Sequence, residues 1–181
     1  FLRLLDKAIG TILPSNIKII YRPHPKQHPR RCEYKFNAKD FKNVELDYES
    51  ANSGGSVSYA PMEYYLDLFN KVDGIITPFS TLLVEAALCG KPSLVIGFSD
   101  DVHDWKFENA IEAEHISTLR KFEWIIFCLK KDEFIKNVNE LIKVTDVPNI
   151  SDKIRKDVNY IVYSDEKSYG ERLFDLVERI C

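Results

Sequence analysis

Between residues 73 and 98 the hydrophobic rhythm of the chain changes twice, and the changes predict a strand, a tight turn, a short helix and a second strand. Ile75 and Ile76 form a brief β-branched apolar run that ends at Thr77-Pro78. Ser80 or Thr81 then stands where a helix N-cap belongs, ahead of an apolar body over residues 82–88. Gly90 sits just past that body as its stop, and Pro92 forbids continuation. Residues 93–96 begin the next strand. A unit this compact implies parallel strands joined by a crossover helix.

The same reading extends to the rest of the chain. A helix is predicted over residues 1–12, ending near Gly10 and Pro14, then strands over 17–21 and 44–47. Residues 52–58 are rich in Gly and Ser and read as a loop. Residues 62–70 form a helix whose apolar face is Tyr65, Leu66, Leu68 and Phe69. A helix over 112–121, a strand over 124–129 and an amphipathic helix over 132–143 follow. In the last, Phe134, Val138, Leu141 and Ile142 mark the buried stripe and Asp132 stands as cap. Val147-Pro148 breaks the chain before closing helices over 151–162 and 166–180. Strands alternating with helices predict an α/β fold with a parallel sheet, a single Rossmann-like three-layer domain over residues 1–181. Because the first residues carry helical periodicity without a start methionine or N-cap, the expectation is a chain truncated at its N-terminus, inside a helix.

Composition narrows the function classes. The 181 residues are 45% hydrophobic and 29% charged, which is globular and large enough for a real core. A net charge of −3 makes no general case for nucleic acid. No apolar run approaches the ~18–20 residues of a membrane span, so no transmembrane segment is expected. Cys32, Cys89, Cys128 and Cys181 show no zinc-like spacing. Cys89 and Cys128 read as small core residues, and a reduced, cytoplasmic setting is expected.

Two stretches carry candidate chemistry. Within residues 82–88 every position is apolar except Glu85, so the helix is expected to be largely buried, with a carboxylate that needs a partner. Thr81 lies four residues earlier, on the same helix face. Glu85 is read either as a ligand hydroxyl or cation partner, or as an acid reaching solvent or backbone. The loop after the first strand holds Arg22, Lys26, Arg30 and Arg31 with His24 and His28, and no acid. His24 stands between Pro23 and Pro25, on a stiff backbone. Such a loop at a strand end is an anion site or a solvated basic loop. Both stretches fall at carboxyl ends of predicted parallel strands, expected on one edge of the sheet, where ligands of such folds bind. That arrangement suits a nucleotide phosphate or diphosphate. There is no Gly-x-Gly-x-x-Gly, Walker loop or Asp-x-Asp, so neither a dinucleotide cofactor, nor an ATP site, nor a metal clamp is expected. The acidic loop with Asp100, Asp101, His103 and Asp104 follows a strand and is read either as a solvated loop, the reading favoured, or as one meeting a donor's sugar or base, its spacing matching no familiar metal site. His115 reads as a surface or helix-face residue.

Arg22-Pro-His-Pro, together with Asp73-Gly-Ile-Ile-Thr-Pro-Phe-Ser-Thr, Glu85-Ala and Gly90-Lys-Pro, resembles the carboxyl-terminal domain of two-Rossmann-domain (GT-B) glycosyltransferases. It is most similar to the branch with CDP-glycerol glycerophosphotransferases, bacterial sialyltransferases and capsule Kdo transferases. The similarity covers roughly residues 17–141. It implies a metal-independent transferase with a nucleotide-activated sugar or polyol donor, working on a surface polysaccharide. It further implies that His24 with Pro25, and Ser80 with Thr81, hold the donor phosphate, with Arg22 beside them, and that Glu85 lies on the ribose side. In those families the catalytic base lies in the amino-terminal domain, so none is named here, and the missing domain is the expected partner of this one. The closing helices over 150–181 would pack toward it, and any peripheral membrane attachment would run through it. Two rivals remain open: a UDP-sugar 2-epimerase-like domain and a non-catalytic Rossmann-like binding module.

Overall fold

A computed structural model describes residues 1–23, 37–47, 62–99, 118–162 and 167–180. Helix α1 (Leu2–Ala8) stops sooner than its periodicity predicts, because Gly10 takes a φ of +80° and turns the chain back. The Gly10 N–H then donates to the Leu13 carbonyl at 2.9 Å. Strands β1 (Ile19–Tyr21) and β2 (Val44–Leu46) pair in parallel, with Ile19 opposite Val44 and Tyr21 opposite Leu46. Helix α2 (Met62–Asn70) leads into β3 (Ile75–Pro78), and helix α3 (Leu82–Leu88) connects β3 to β4 (Ser93–Ile96). Strand β5 (Ile125–Cys128) is followed by α4 (Phe134–Thr145), α5 (Ile150–Val158) and α6 (Tyr169–Ile180).

The strands form two parallel sheets among the described residues, β1-β2 and β3-β4-β5. Among the described residues Arg22 follows a strand of one sheet and Ser80 a strand of the other, so no single ladder joins the two candidate stretches. Strand β3 also runs through Thr77 and Pro78, which the sequence placed at its end. Pro78 is tolerated because, among the described residues, β3 lies at the edge of its sheet, where a missing N–H leaves no ladder partner unmet.

Strand β4 is buried at every position, as the central strand of a sheet covered on both faces must be. Its alternate residues feed two cores. Leu94 and Ile96 pack with Leu5 and Ala8 of α1, Phe134, Val138 and Leu141 of α4, and Phe98. Val95 faces the other way, with Leu83 and Ala87 of α3, Trp124, and Ile154 and Val158 of α5. Helices thus lie on both sides of a parallel sheet, a three-layer α/β arrangement of Rossmann-like character. Ile17 and Ile19 pack against the first core, which ties the smaller sheet to the larger.

Several boundaries shift for local reasons. A 3-10 turn, Lys131–Glu133, precedes α4, so Asp132 lies within that turn and not at the cap. Glu133 takes the cap position of α4 and makes no side-chain cap bond. On α2, Phe69 is buried while Leu66 is exposed, so the inward face is narrower than predicted. The Trp124 indole N–H donates to Asp157 at 3.1 Å and its ring stacks on Phe122, fastening α5 to the sheet. No described helix is long and apolar enough to cross a membrane.

Candidate functional site

The turn between β3 and α3 is held from below by Phe79. Its ring lies 6.1 Å from that of Phe127 on β5. Gly97, at the end of β4, makes room for Leu129, whose Cδ2 would stand 2.9 Å from a Cβ there, while the Phe79 ring would lie in ordinary contact at 3.5 Å. With Phe79 half-buried, the next two residues, Ser80 and Thr81, face solvent at the carboxyl end of β3. Ser80 Oγ accepts the Leu82 N–H at 3.1 Å, satisfying one of the orphan donors at the start of α3. The residue at the cap position is Thr81, but its side chain does not cap. Its hydroxyl instead donates to Glu85 Oε1 at 3.4 Å, one turn along.

These contacts give the three side chains different capacities. Ser80 has spent a lone pair but keeps its O–H to donate. The Thr81 O–H already points to a carboxylate, and an anion brought to it would meet the charge of Glu85. Together Thr81 and Glu85 form a hydroxyl–carboxylate pair suited to a ligand hydroxyl. Helix α3 is not buried all round, as the sequence suggested: Leu83, Ala86 and Ala87 are enclosed, whereas Leu88 is 50% exposed and Glu85 half-buried. The carboxylate therefore keeps water as well as Thr81.

The far end of α3 is closed by a Schellman arrangement. The Lys91 N–H donates to the Ala86 carbonyl and the Gly90 N–H to that of Ala87, each at 2.9 Å, with Gly90 at φ +72°. Arg155 reaches the Cys89 carbonyl at 3.5 Å from α5, placing a cation at the negative end of the helix.

Arg22 follows β1 directly. Its guanidinium carbon lies 4.5 Å from the centroid of the Tyr65 ring, and Nη2 donates to the Tyr65 hydroxyl at 2.7 Å. The Tyr64 ring meets that of Tyr65 edge-on at 5.4 Å. Arg22 Nε and the Tyr64 hydroxyl are buried without a hydrogen-bond partner among the described residues. Tyr65 was legible only as part of an apolar helix face. No spacing joins residues 22 and 65, and the pairing arises from tertiary packing alone.

Ser80, Thr81 and Glu85 are therefore brought together, while no described hydrogen bond or ion pair joins them to Arg22. His24 and Pro25 lie outside the described residues, as do Lys26, His28, Arg30, Arg31, residues 52–58, Asp100, Asp101, His103, Asp104, His115, Cys32 and Cys181. Of the two described cysteines, Cys128 is a core residue whose thiol donates to the Lys130 carbonyl at 3.2 Å, and Cys89 is only half-buried. Burial pushes both thiols above the ordinary cysteine range. No protein-family model, no curated protein and no solved structure matches this chain.

Proposed function

We propose that this chain is the donor-nucleotide-binding domain of a metal-independent GT-B glycosyltransferase, or of a glycerophosphotransferase-like enzyme, acting in surface-polysaccharide biosynthesis. The observation that carries the reading is the Ser80–Thr81–Glu85 group at the carboxyl end of a parallel strand. Strand ends of this kind are where open α/β sheets take their ligands. Ser80 supplies a free hydroxyl donor to a phosphate oxygen, and the Thr81–Glu85 pair accepts a ribose hydroxyl. Arg22 and His24 complete the phosphate site from the loop after β1. In the transfer itself, an acceptor hydroxyl gives up its proton to a base outside this domain and attacks the carbon or phosphorus bonded to the leaving oxygen. That bond breaks, and the nucleotide phosphate leaves with the electron pair. Hydroxyl and cationic donors fixed at that oxygen stabilise the charge as it develops.

Thermal unfolding in CMP, CDP, UDP and GDP tests the reading. A ligand at about 100 times its dissociation constant should add about 2.7 kcal/mol of stability. Replacing Ser80 and Thr81 together by Ala should weaken the best ligand at least about tenfold, about 1.4 kcal/mol. A folded chain that no nucleotide stabilises, or a double variant that binds like the parent, overturns it.

A further inference from the structure

We infer that Tyr65 is a positioning residue for Arg22, holding its guanidinium so that Nε is presented to a phosphate oxygen of a nucleoside mono- or diphosphate. The inference rests on the proposed nucleotide site and adds to it a residue from a different element. A guanidinium carries five donors in a fixed plane and stays charged at any working pH. Here one arm is committed: Nη2 gives a hydrogen bond of 2.7 Å to the Tyr65 hydroxyl. The ring beneath, 4.5 Å from the guanidinium carbon, adds a cation–π contact. Tyr65 is in turn braced by Tyr64, whose ring meets it edge-on.

Nε, which shares an edge of the guanidinium with Nη2, is left open. Nε is buried and has no partner among the described residues. A buried donor on a charged group is costly to leave unmet, more so than a neutral one. The guanidinium has thus lost water at Nε without gaining an acceptor, while its rotation is blocked by Tyr65. Such a pre-set cationic donor is what an incoming phosphate oxygen satisfies, and the ordering cost of a long side chain has been met before binding. Tyr65 stands on α2, the helix leading into β3, so the strand whose end carries Ser80 and the helix that fixes Arg22 are successive elements.

The test separates the phosphate's share of binding from that of the rest of the ligand. Affinity is measured for the best of CMP, CDP, UDP and GDP and for its matching nucleoside, at constant ionic strength, with the 181-residue chain. Tyr65→Phe keeps the ring and loses the hydroxyl. It should weaken the nucleotide about tenfold and leave the nucleoside unchanged. Arg22→Gln should remove the same phosphate-dependent gain, and adding Tyr65→Phe to it should cost nothing further, the signature of coupled residues. Arg22→Lys, which keeps the charge without the planar fork, should behave like Arg22→Gln, and it tests the geometry even where a Tyr65 variant does not fold.

If Arg22→Gln abolishes the phosphate gain while Tyr65→Phe retains it, the positioning role is overturned and the nucleotide site stands. Equal losses for nucleotide and nucleoside in Tyr65→Phe mark a structural role and overturn it too. Should Arg22→Gln bind like the parent, or no nucleotide bind at all, the site at Arg22 falls and the inference with it.

Discussion

Asp6 does for the smaller sheet what no periodicity announces. From α1 its carboxylate accepts the Asn43 N–H at 2.7 Å, the Lys42 N–H at 3.1 Å and the Asn43 side-chain amide at 3.2 Å. Asn43 is buried, and its carbonyl receives the Ile19 N–H at 2.9 Å, so the corner that starts β2 is fixed against β1 through one acid. Partial burial works against the charge, but the bonds from Asn43 and Lys42 and the Lys42 ammonium outweigh it and hold the carboxyl below its usual 3.8. A folded-state value below the unfolded one means stability that is present above the ordinary carboxylate range and lost as pH falls through the folded value. Asp6→Ala should therefore cost about 1–3 kcal/mol in urea unfolding at neutral pH. The gap to the parent should close in acid below 3.8; a gap that ignores pH would rule out the carboxylate as its source. Residues of this kind, Asp6 and Tyr65 alike, are illegible in sequence because their partners lie tens of positions away.

At the scale of the element, what was legible depended on whether the stop signal was local. Helix α3 and the strand after it were readable to the residue, since Ser80, Gly90 and Pro92 act on backbone beside them. Helix α1 was overextended because its apolar spacing continues past Gly10, where a left-handed φ ends the helix regardless of pattern. Strand β3 was cut short because Pro78 looks like a terminator unless its edge position is known. That strands pair in parallel followed from the short crossover. That they divide into two sheets did not, because pairing is decided by packing between distant segments. The Gly90 stop also has a tertiary side: a Cβ there would lie 2.9 Å from both Cβ and the carbonyl oxygen of Ser151 on α5. Gly90→Ala combines a left-handed non-glycine residue with a backbone clash, and should lose about 2–4 kcal/mol in chemical unfolding. Leu88→Ser, on the exposed side of the same helix, should stay within about 0.5 kcal/mol. Equal losses from the two would show that α3 does not approach α5 as described.

Across the whole molecule, two cores back the central sheet, and α1 and β1 join the first of them. Unfolding is thus expected to be shared, with no sheet surviving alone. The architecture explains why composition and alternation revealed the fold class while leaving the ligand open: the cores are built from apolar residues spread along the chain, and the site uses three side chains around one turn. Strand β4 has a further consequence outside the folded state. Its run Ser93-Leu-Val-Ile-Gly-Phe98 is uncharged, apolar and free of proline, and it is hidden at every position only while both helical layers are in place. Once released by heat, it is a segment that pairs readily with copies of itself. The sequence flanks it with Lys91-Pro92 on one side and Asp100-Asp101 on the other, charges and a proline that oppose stacking. Recovery after heating should accordingly fall as protein concentration rises. Replacing Lys91 by a neutral residue should deepen that loss without moving the chemical unfolding midpoint, so the guard against clumping would be separable from the stability of the fold.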